Sequence, residues 1–162
     1  MDGTHRIARI LVPVDGSDCS RAAAEHAVWL AQVHDAEIVL LHVVDEQVIA
    51  ELAERASDDG VRARDRLLEN GQAYLRDVAR VAQDGGVPHR EEIAEGDPSA
   101  VICETAERGR ADLIVMGRIG RRGARRILMG SITRRVIESG DVAVLVVSGP
   151  QAGAVAGLRA EA

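Results

Sequence analysis

Glycine residues near the carboxyl-terminal third of the chain form the pattern with the clearest chemistry. Gly117 and Gly120 follow an apolar run, and nine residues later Gly130-Ser131 begins a segment with helical periodicity. Glycines let the backbone approach a bound anion closely, and the free N–H groups at a helix start favour phosphate. The pattern Gly-x2-Gly-x9-Gly-Ser therefore indicates a phosphate-binding loop, with the Ser131 hydroxyl as an added donor. A plain turn followed by a capped helix is the alternative.

Two better-known phosphate motifs are excluded at this loop. It contains no Gly-Lys-Ser/Thr, so it is not a P-loop, and it lacks the Gly-x-Gly-x-x-Gly fingerprint of dinucleotide-binding folds. All 20 basic residues of the chain are arginine. Lysine chemistry, whether a Schiff base or a phosphate-loop lysine, is therefore impossible on this chain.

A carboxylate directly follows the first apolar run. Asp15 comes after the segment I-L-V-P-V at 10–14. Ligands of open α/β sheets bind beyond the carboxyl ends of strands, where the strand order reverses. If the strands ending at 14 and 116 are neighbours, Asp15 faces the glycine loop and could accept from ribose hydroxyls or join a metal site. The alternative is an ordinary turn aspartate in Asp-Gly-Ser.

Apolar runs and helical segments alternate along the chain. The runs predict strands at 9–14, 36–44, 89–94, 111–116 and 142–147, the weak polar one at 89–94 near a sheet edge. Between them, periodicity predicts helices after a Ser17 or Asp18 cap, near 48–55, and at 61–83, 98–108 and 131–139. This alternation indicates a single doubly wound parallel sheet with helices on both faces. We expect one domain at 1–148 and a flexible, Ala/Gly-rich tail at 149–162.

Composition excludes several classes of function. The net charge of −6 disfavours nucleic-acid binding, and no apolar run reaches the ~20 residues that membrane insertion requires. Cys19 and Cys103 lie too far apart for a disulfide framework or a zinc site. No histidine pattern suggests a metal or catalytic site, and no Gly-x-Ser-x-Gly elbow is present. We therefore predict a cytoplasmic protein with no catalytic residues and no metal ligands of its own.

Together these motifs resemble the universal stress protein family. The matching segments are I-L-V-P-V-D-G-S at 10–17, L-H-V at 41–43, G-D-P at 96–98, D-L-I-V-M-G at 112–117, the glycine pattern at 117–131 and V-L-V-V at 144–147. The resemblance covers about residues 8 to 148, and the glycine spacing is typical of the ATP-binding branch. It implies a five-stranded parallel sheet in the order 3-2-1-4-5.

The resemblance also implies the roles of individual residues. The adenosine end would be contacted by Pro13, Val14, Asp15 and the backbone of Val43. The glycine loop would contact ribose through Gly117 and phosphates through Gly120, Gly130, Ser131 and Ile132, with Arg118 adding a phosphate contact or obstructing one. The expected cofactor is ATP, accompanied by Mg²⁺ as an option.

The implied function is that of an ATP-binding regulatory or stress-response protein with an unidentified protein partner. A slow ATPase or phosphoryl-transfer enzyme is one alternative, disfavoured because no positioned base is evident; a module that binds AMP or cyclic AMP is another. An arginine cluster over 118–126, with Arg134 and Arg135, is either a phosphate clamp or a solvated surface. We also expect a homodimer through the last strand, whose apolar edge invites pairing.

Overall fold

The computed structural model describes residues 6–56, 60–121 and 128–149. Within them, strands and helices follow one another along the chain. The strands are β1 (Arg9–Pro13), β2 (Glu37–Asp45), β3 (His89–Gly96), β4 (Leu113–Gly117) and β5 (Ala143–Val147). The helices are α1 (Asp18–His34), α2 (Glu46–Ala56), α3 (Gly60–Asp84), α4 (Pro98–Arg108) and α5 (Ser131–Ser139).

The strands form one parallel sheet in the order β3-β2-β1-β4-β5, as predicted. The central strand β1 is covered on both faces, because its apolar side chains alternate between two cores. Ile10 and Val12 pack in the core beneath α1 and α3, and Leu11 packs in the opposite core with Ile102 of α4 and Val136 of α5. The polar strand β3 lies at one edge of the sheet, as its sequence predicted.

Local sequence signals account for most helix boundaries. Ser17 is the N-cap of α1 and accepts a hydrogen bond from the Ser20 N–H at 3.1 Å. Asp97 caps α4 in the same way, with Pro98 in the first turn. After α3, Gly86 adopts the left-handed conformation at φ 66°. The structure extends α2 beyond the predicted 48–55, and α3 is continuous through Gly71.

Gly71 is required because α3 packs very closely on β2. A Cβ atom at position 71 would lie 2.2 Å from Cδ2 of His42. The missing side chain therefore brings α3 against the carboxyl end of β2, where the site described below is located.

Some predictions concern parts of the chain outside the described residues. The tail is one of them, apart from Gly149, and so are Arg122, Arg125 and Arg126 of the arginine cluster. Among the helices that the structure does describe, none is long and apolar enough to span a bilayer.

Candidate functional site

A cavity of about 780 Å³ opens at the carboxyl ends of the central strands. β1 pairs with β2 on one side and with β4 on the other, so the strand order reverses at this point. Such a reversal leaves a crevice between crossovers that run to opposite sides of the sheet. The topology therefore places the ends of β1, β2 and β4, the glycine loop and the start of α5 around one space.

The structure brings together the predicted site residues with one exception. The predicted residues that line the cavity are Pro13, Val14, Asp15, Val43, Gly117, Gly120, Gly130, Ser131 and Ile132. Arg118 does not line it, because its Nη1 donates to the carbonyl of Leu128 at 2.7 Å. Its backbone N–H donates to the carbonyl of Val147, so this residue ties the loop to the end of β5.

Asp15 joins the end of β1 to the glycine loop. Its Oδ1 accepts from the Ser17 N–H at 3.0 Å and from the Ser17 hydroxyl at 2.6 Å. Its Oδ2 accepts from the Arg121 N–H at 2.9 Å. A Cβ at position 120 would lie 2.6 Å from Oδ2, so Gly120 permits this approach. A carboxylate offers about four acceptor positions, so Asp15 retains capacity for a ligand hydroxyl.

The start of α5 presents backbone donors to the cavity. Gly130 is the N-cap, with φ −67° and ψ 153°, and as a glycine it has no side chain with which to cap the helix. The first bond within the helix runs from the Arg134 N–H to the Gly130 carbonyl at 3.0 Å. The N–H groups of Ser131, Ile132 and Thr133 precede that bond and have no acceptor within the helix. The cavity thus meets the positive end of the α5 dipole.

Buried hydrogen bonds hold these donors in place. The Thr133 hydroxyl, on a residue only 3% exposed, donates to the Gly117 carbonyl at 3.0 Å. The Gly130 N–H donates to the Arg118 carbonyl at 2.8 Å. The two ends of the glycine loop are therefore joined directly, and α5 is fixed against the end of β4.

The opposite wall of the cavity includes the part of β2 that extends beyond the end of β1. The β1–β2 register ends at Pro13 opposite Leu41, and one further bond runs from the Val14 N–H to the Leu41 carbonyl at 2.8 Å. β2 nevertheless continues to Asp45 beside β3. Backbone groups alternate in direction along a strand, so those of Val43 point to the side where β1 has ended. They are available to a flat ring that carries both a donor and an acceptor.

Sequence reasoning missed a second group of cavity residues on β2, α2 and α3. It consists of His42, Val48, Leu52, Leu67, Asn70 and Tyr74. Leu67, Gly71 and Tyr74 have the spacing of one helix face, which predicts that they point inward. Nothing in that spacing shows that this face meets the glycine loop. The contact that joins them, between Tyr74 and Arg121, links residues 47 positions apart.

Charged side chains of both signs line the cavity. Among its described lining residues, the carboxylates are Asp15 and Asp45 and the cations are Arg121 and Arg134. The described residues contain no group of His, Cys, Asp and Glu side chains that could hold a metal ion. Any cation would therefore depend on oxygen atoms of the ligand for part of its coordination.

The sequence profile of the universal stress protein family matches residues 6–148. This chain belongs to the universal stress protein family. Universal stress protein MJ0531 of Methanocaldococcus jannaschii is 40% identical over 150 residues, which cover 93% of this chain and 87% of the relative. The predicted membership and fold are thereby confirmed.

Solved structures of other family members share the fold. MJ0577 of M. jannaschii superposes with a TM-score of 0.79 at 29% identity, covering 90% of this chain and 99% of that one. A universal stress protein in complex with cAMP has a TM-score of 0.64 at 24% identity, covering 88% and 98% of the two chains. One from Archaeoglobus fulgidus in complex with dAMP has a TM-score of 0.67 at 20% identity, with the same coverage.

Proposed function

We propose that this universal stress protein binds ATP, with Mg²⁺ as an accompanying ion, in the cavity between β1 and β4. The observation that carries the proposal is the joint presence there of Asp15 and the uncapped start of α5. A carboxylate suits ribose hydroxyls, and free helix N–H groups suit phosphate. Their placement on one wall of one cavity matches a ligand that carries both groups.

The rest of the cavity suits the base. Pro13 and Val14 offer an apolar surface for a ring, and the backbone of Val43 offers a donor and an acceptor beside it. Adenine presents the complementary pair at one edge. The cAMP and dAMP complexes of the two solved relatives support an adenine nucleotide in a cavity of this fold.

A regulatory role fits the cavity better than catalysis does. Each of the two carboxylates in its described lining already holds a backbone donor, Asp15 through the Arg121 N–H and Asp45 through the Gln47 N–H at 2.9 Å, and the acceptor position left on Asp15 is assigned to a ribose hydroxyl. General-base catalysis needs a group free to accept a proton from the attacking water. We therefore expect a cytoplasmic stress-response protein in which nucleotide occupancy changes the surface offered to a regulatory partner, and at most slow hydrolysis.

The last strand supports a homodimer. β5 is an edge of the sheet, and Leu145 on it is 38% exposed. An apolar edge with unpaired backbone groups is a template for pairing with a second copy of the chain. The dimer is proposed on that ground.

Calorimetric titration of nucleotide-free protein with Mg-ATP, AMP and cyclic AMP tests the function. We expect ATP to bind most tightly, and Gly130→Val and Asp15→Ala to lose binding while keeping the fold. At position 130 the nearest atom to an added Cβ is the Arg118 carbonyl oxygen at 3.4 Å, so the backbone there accepts a side chain, and the valine methyl groups are expected to obstruct the phosphate end. Asp141→Ala, at an exposed residue away from the cavity, is the matched control.

Each alternative has its own outcome in these experiments. Tighter binding of AMP or cyclic AMP would keep the cavity but change the signal that it reads. Multiple turnover of ATP, abolished by Gly130→Val, would establish an enzyme. Undiminished binding by both site variants would refute the assigned site.

A further inference from the structure

A side-chain contact joins the glycine loop to α3 across the cavity. The Arg121 guanidinium lies over the ring of Tyr74, with Cζ 5.0 Å from the ring centroid, and it also donates to the Tyr74 hydroxyl. The Arg121 N–H is the group that donates to Asp15. A single residue therefore connects the loop both to the carboxylate and to the opposite wall.

Tyr74 is held firmly by its surroundings. A Cβ at position 16 would lie 2.6 Å from Cδ1 and Cε1 of Tyr74, so the ring rests directly on the backbone of Gly16. The His42 ring contacts it edge-on, with centroids 5.7 Å apart. His42 is itself anchored, because its Nδ1 lies 2.7 Å from the Val14 carbonyl and must donate to it.

Arg121, in contrast, holds its charge on weak partners. Among the described residues, no carboxylate lies within 4.0 Å of its guanidinium. A phenol and an aromatic face stabilise a cation less than an ionised oxygen does. Arg134, the other described cation of the cavity, is 4.0 Å from Glu138, its helix neighbour. Arg121 is thus the cation with more to gain from an anion.

The backbone geometry places Arg121 beside the phosphate end of the cavity. A Cβ at position 130 would lie 3.7 Å from the Gly120 nitrogen, so the residue before Arg121 touches the start of α5. An arginine side chain is long enough to turn from Tyr74 toward that helix start. Its planar fork suits the oxygens of a phosphate chain.

The geometry points to Arg121 as a specificity-determining residue for nucleoside polyphosphates. Without nucleotide its guanidinium rests on Tyr74, and when the phosphate chain binds, the guanidinium leaves Tyr74 and contacts the phosphates. This inference rests on the proposed binding of ATP and names the side chain that distinguishes ATP from ligands without a phosphate chain. Tyr74 is the resting partner of the guanidinium, and its hydroxyl competes with the phosphate chain for Arg121 instead of binding the phosphates.

Calorimetry with ATP and adenosine tests the assignment in the full chain. Because hydrogen bonds to charged groups are the stronger ones, Arg121→Ala should weaken ATP binding about tenfold or more. Adenosine binding should change by less than about twofold, since adenosine carries no phosphate. Arg135→Ala removes the same charge from α5 outside the cavity lining, and it should leave both affinities nearly unchanged.

Tyr74→Phe tests whether the Arg121 guanidinium is released from Tyr74 or whether Tyr74 simply contributes a contact in the wall of the cavity. Phenylalanine keeps the ring on Gly16 but removes the hydroxyl that competes for Arg121. ATP affinity should therefore be equal to or higher than that of the wild type. A loss as large as that of Arg121→Ala would overturn the exchange between tyrosine and phosphate.

The sole tyrosine of the chain also reports on the exchange directly. In protein labelled with 3-fluorotyrosine, ATP should shift the fluorine resonance beyond the shift caused by adenosine, toward its position in nucleotide-free Arg121→Ala. In that variant the two ligands should cause the same shift. Identical shifts by ATP and adenosine in the wild type would refute the release of Arg121.

The outcomes distinguish this inference from the proposed function. If ATP does not bind the wild-type chain, the proposed function fails and Arg121 has no phosphate to select. If ATP binds and Arg121→Ala retains the wild-type ratio of ATP to adenosine affinity, the function stands and the role of Arg121 is refuted.

Discussion

Replacing either of two glycines in the same loop by alanine should have very different effects on stability. At position 117 an added Cβ would lie 2.7 Å from the Cβ of Cys19 and 2.8 Å from its carbonyl carbon. The carbonyl carbon is part of the α1 backbone, and the Cβ is bonded directly to that backbone. Rotation of the Cys19 side chain therefore cannot relieve either contact. Gly117→Ala must therefore move α1 away from the end of β4.

Overpacking of this kind typically costs about 1–3 kcal/mol of unfolding free energy. With a urea m-value of about 2 kcal/mol per M, a loss of about 2 kcal/mol lowers the denaturation midpoint by about 1 M. The Gly117 φ angle is not in the left-handed region, so the loss is purely steric. Urea unfolding followed by far-ultraviolet circular dichroism measures it.

Gly130→Ala is the matched control. There the nearest atom to an added Cβ is the Arg118 carbonyl oxygen at 3.4 Å, and φ −67° suits alanine. Alanine is a poorer N-cap than glycine but restricts the unfolded chain, and these opposing effects leave a net change within about 1 kcal/mol. Equal midpoints for the two variants would refute the idea that α1 packs directly on Gly117.

Three further predictions follow from other contacts. The Ser99 hydroxyl, the Ala100 N–H and Arg135 lower the pKa of Asp97. The ionised carboxylate therefore stabilises the fold above its ordinary pKa of about 4, and this contribution is lost as pH falls through the lowered pKa. Below pH 4 the melting temperature of Asp97→Asn should fall less steeply than that of the wild type, and parallel curves would contradict this. Burial is the main cause that raises the pKa of the Cys103 thiol, and the negative charges of Glu107 and Glu104 add to it. In a Cys19→Ala background, iodoacetamide at pH 8.5 should therefore modify Cys103 more slowly in native protein than in urea. Equal rates would be inconsistent with the burial of this thiol. Leu145→Arg places a charge on the β5 edge and should convert the proposed dimer to a monomer in sedimentation analysis, whereas a wild-type monomer at micromolar concentration would remove the basis for that dimer.

The fold was predictable because its signals are local and repeat along the chain. Buried parallel strands require continuous apolar runs such as residues 10–12, and the intervening helices carry their own caps at Ser17 and Asp97. The predicted bounds of the strands and helices differ from the observed ones by at most two residues, and the least regular sequence lies at the start of α2 and in the middle of α3. There the polar residues 46–47 and Gly71 weaken the local signal, and packing against the sheet decides the conformation.

The proximity of Asp15 to the glycine loop was also predictable, since both follow the carboxyl ends of strands and these ends meet at one edge of a parallel sheet. Arg118 shows where that reasoning stops. Its position in the loop suggested a ligand contact, but the loop turns its guanidinium toward the Leu128 carbonyl. The direction of a side chain depends on the path of the backbone around it, which spacing does not specify.

The sequence by itself determined the family, the parallel sheet and the backbone elements of the proposed phosphate site, because these depend on residue type and on neighbours a few positions away. The tertiary structure alone decided which surfaces face that site. The contact between Arg121 and Tyr74 exists because Gly71 lets α3 approach His42 and Gly16 leaves room for the Tyr74 ring. Such close approaches join distant segments through shape, and shape arises only when the whole sheet and its helices have packed together.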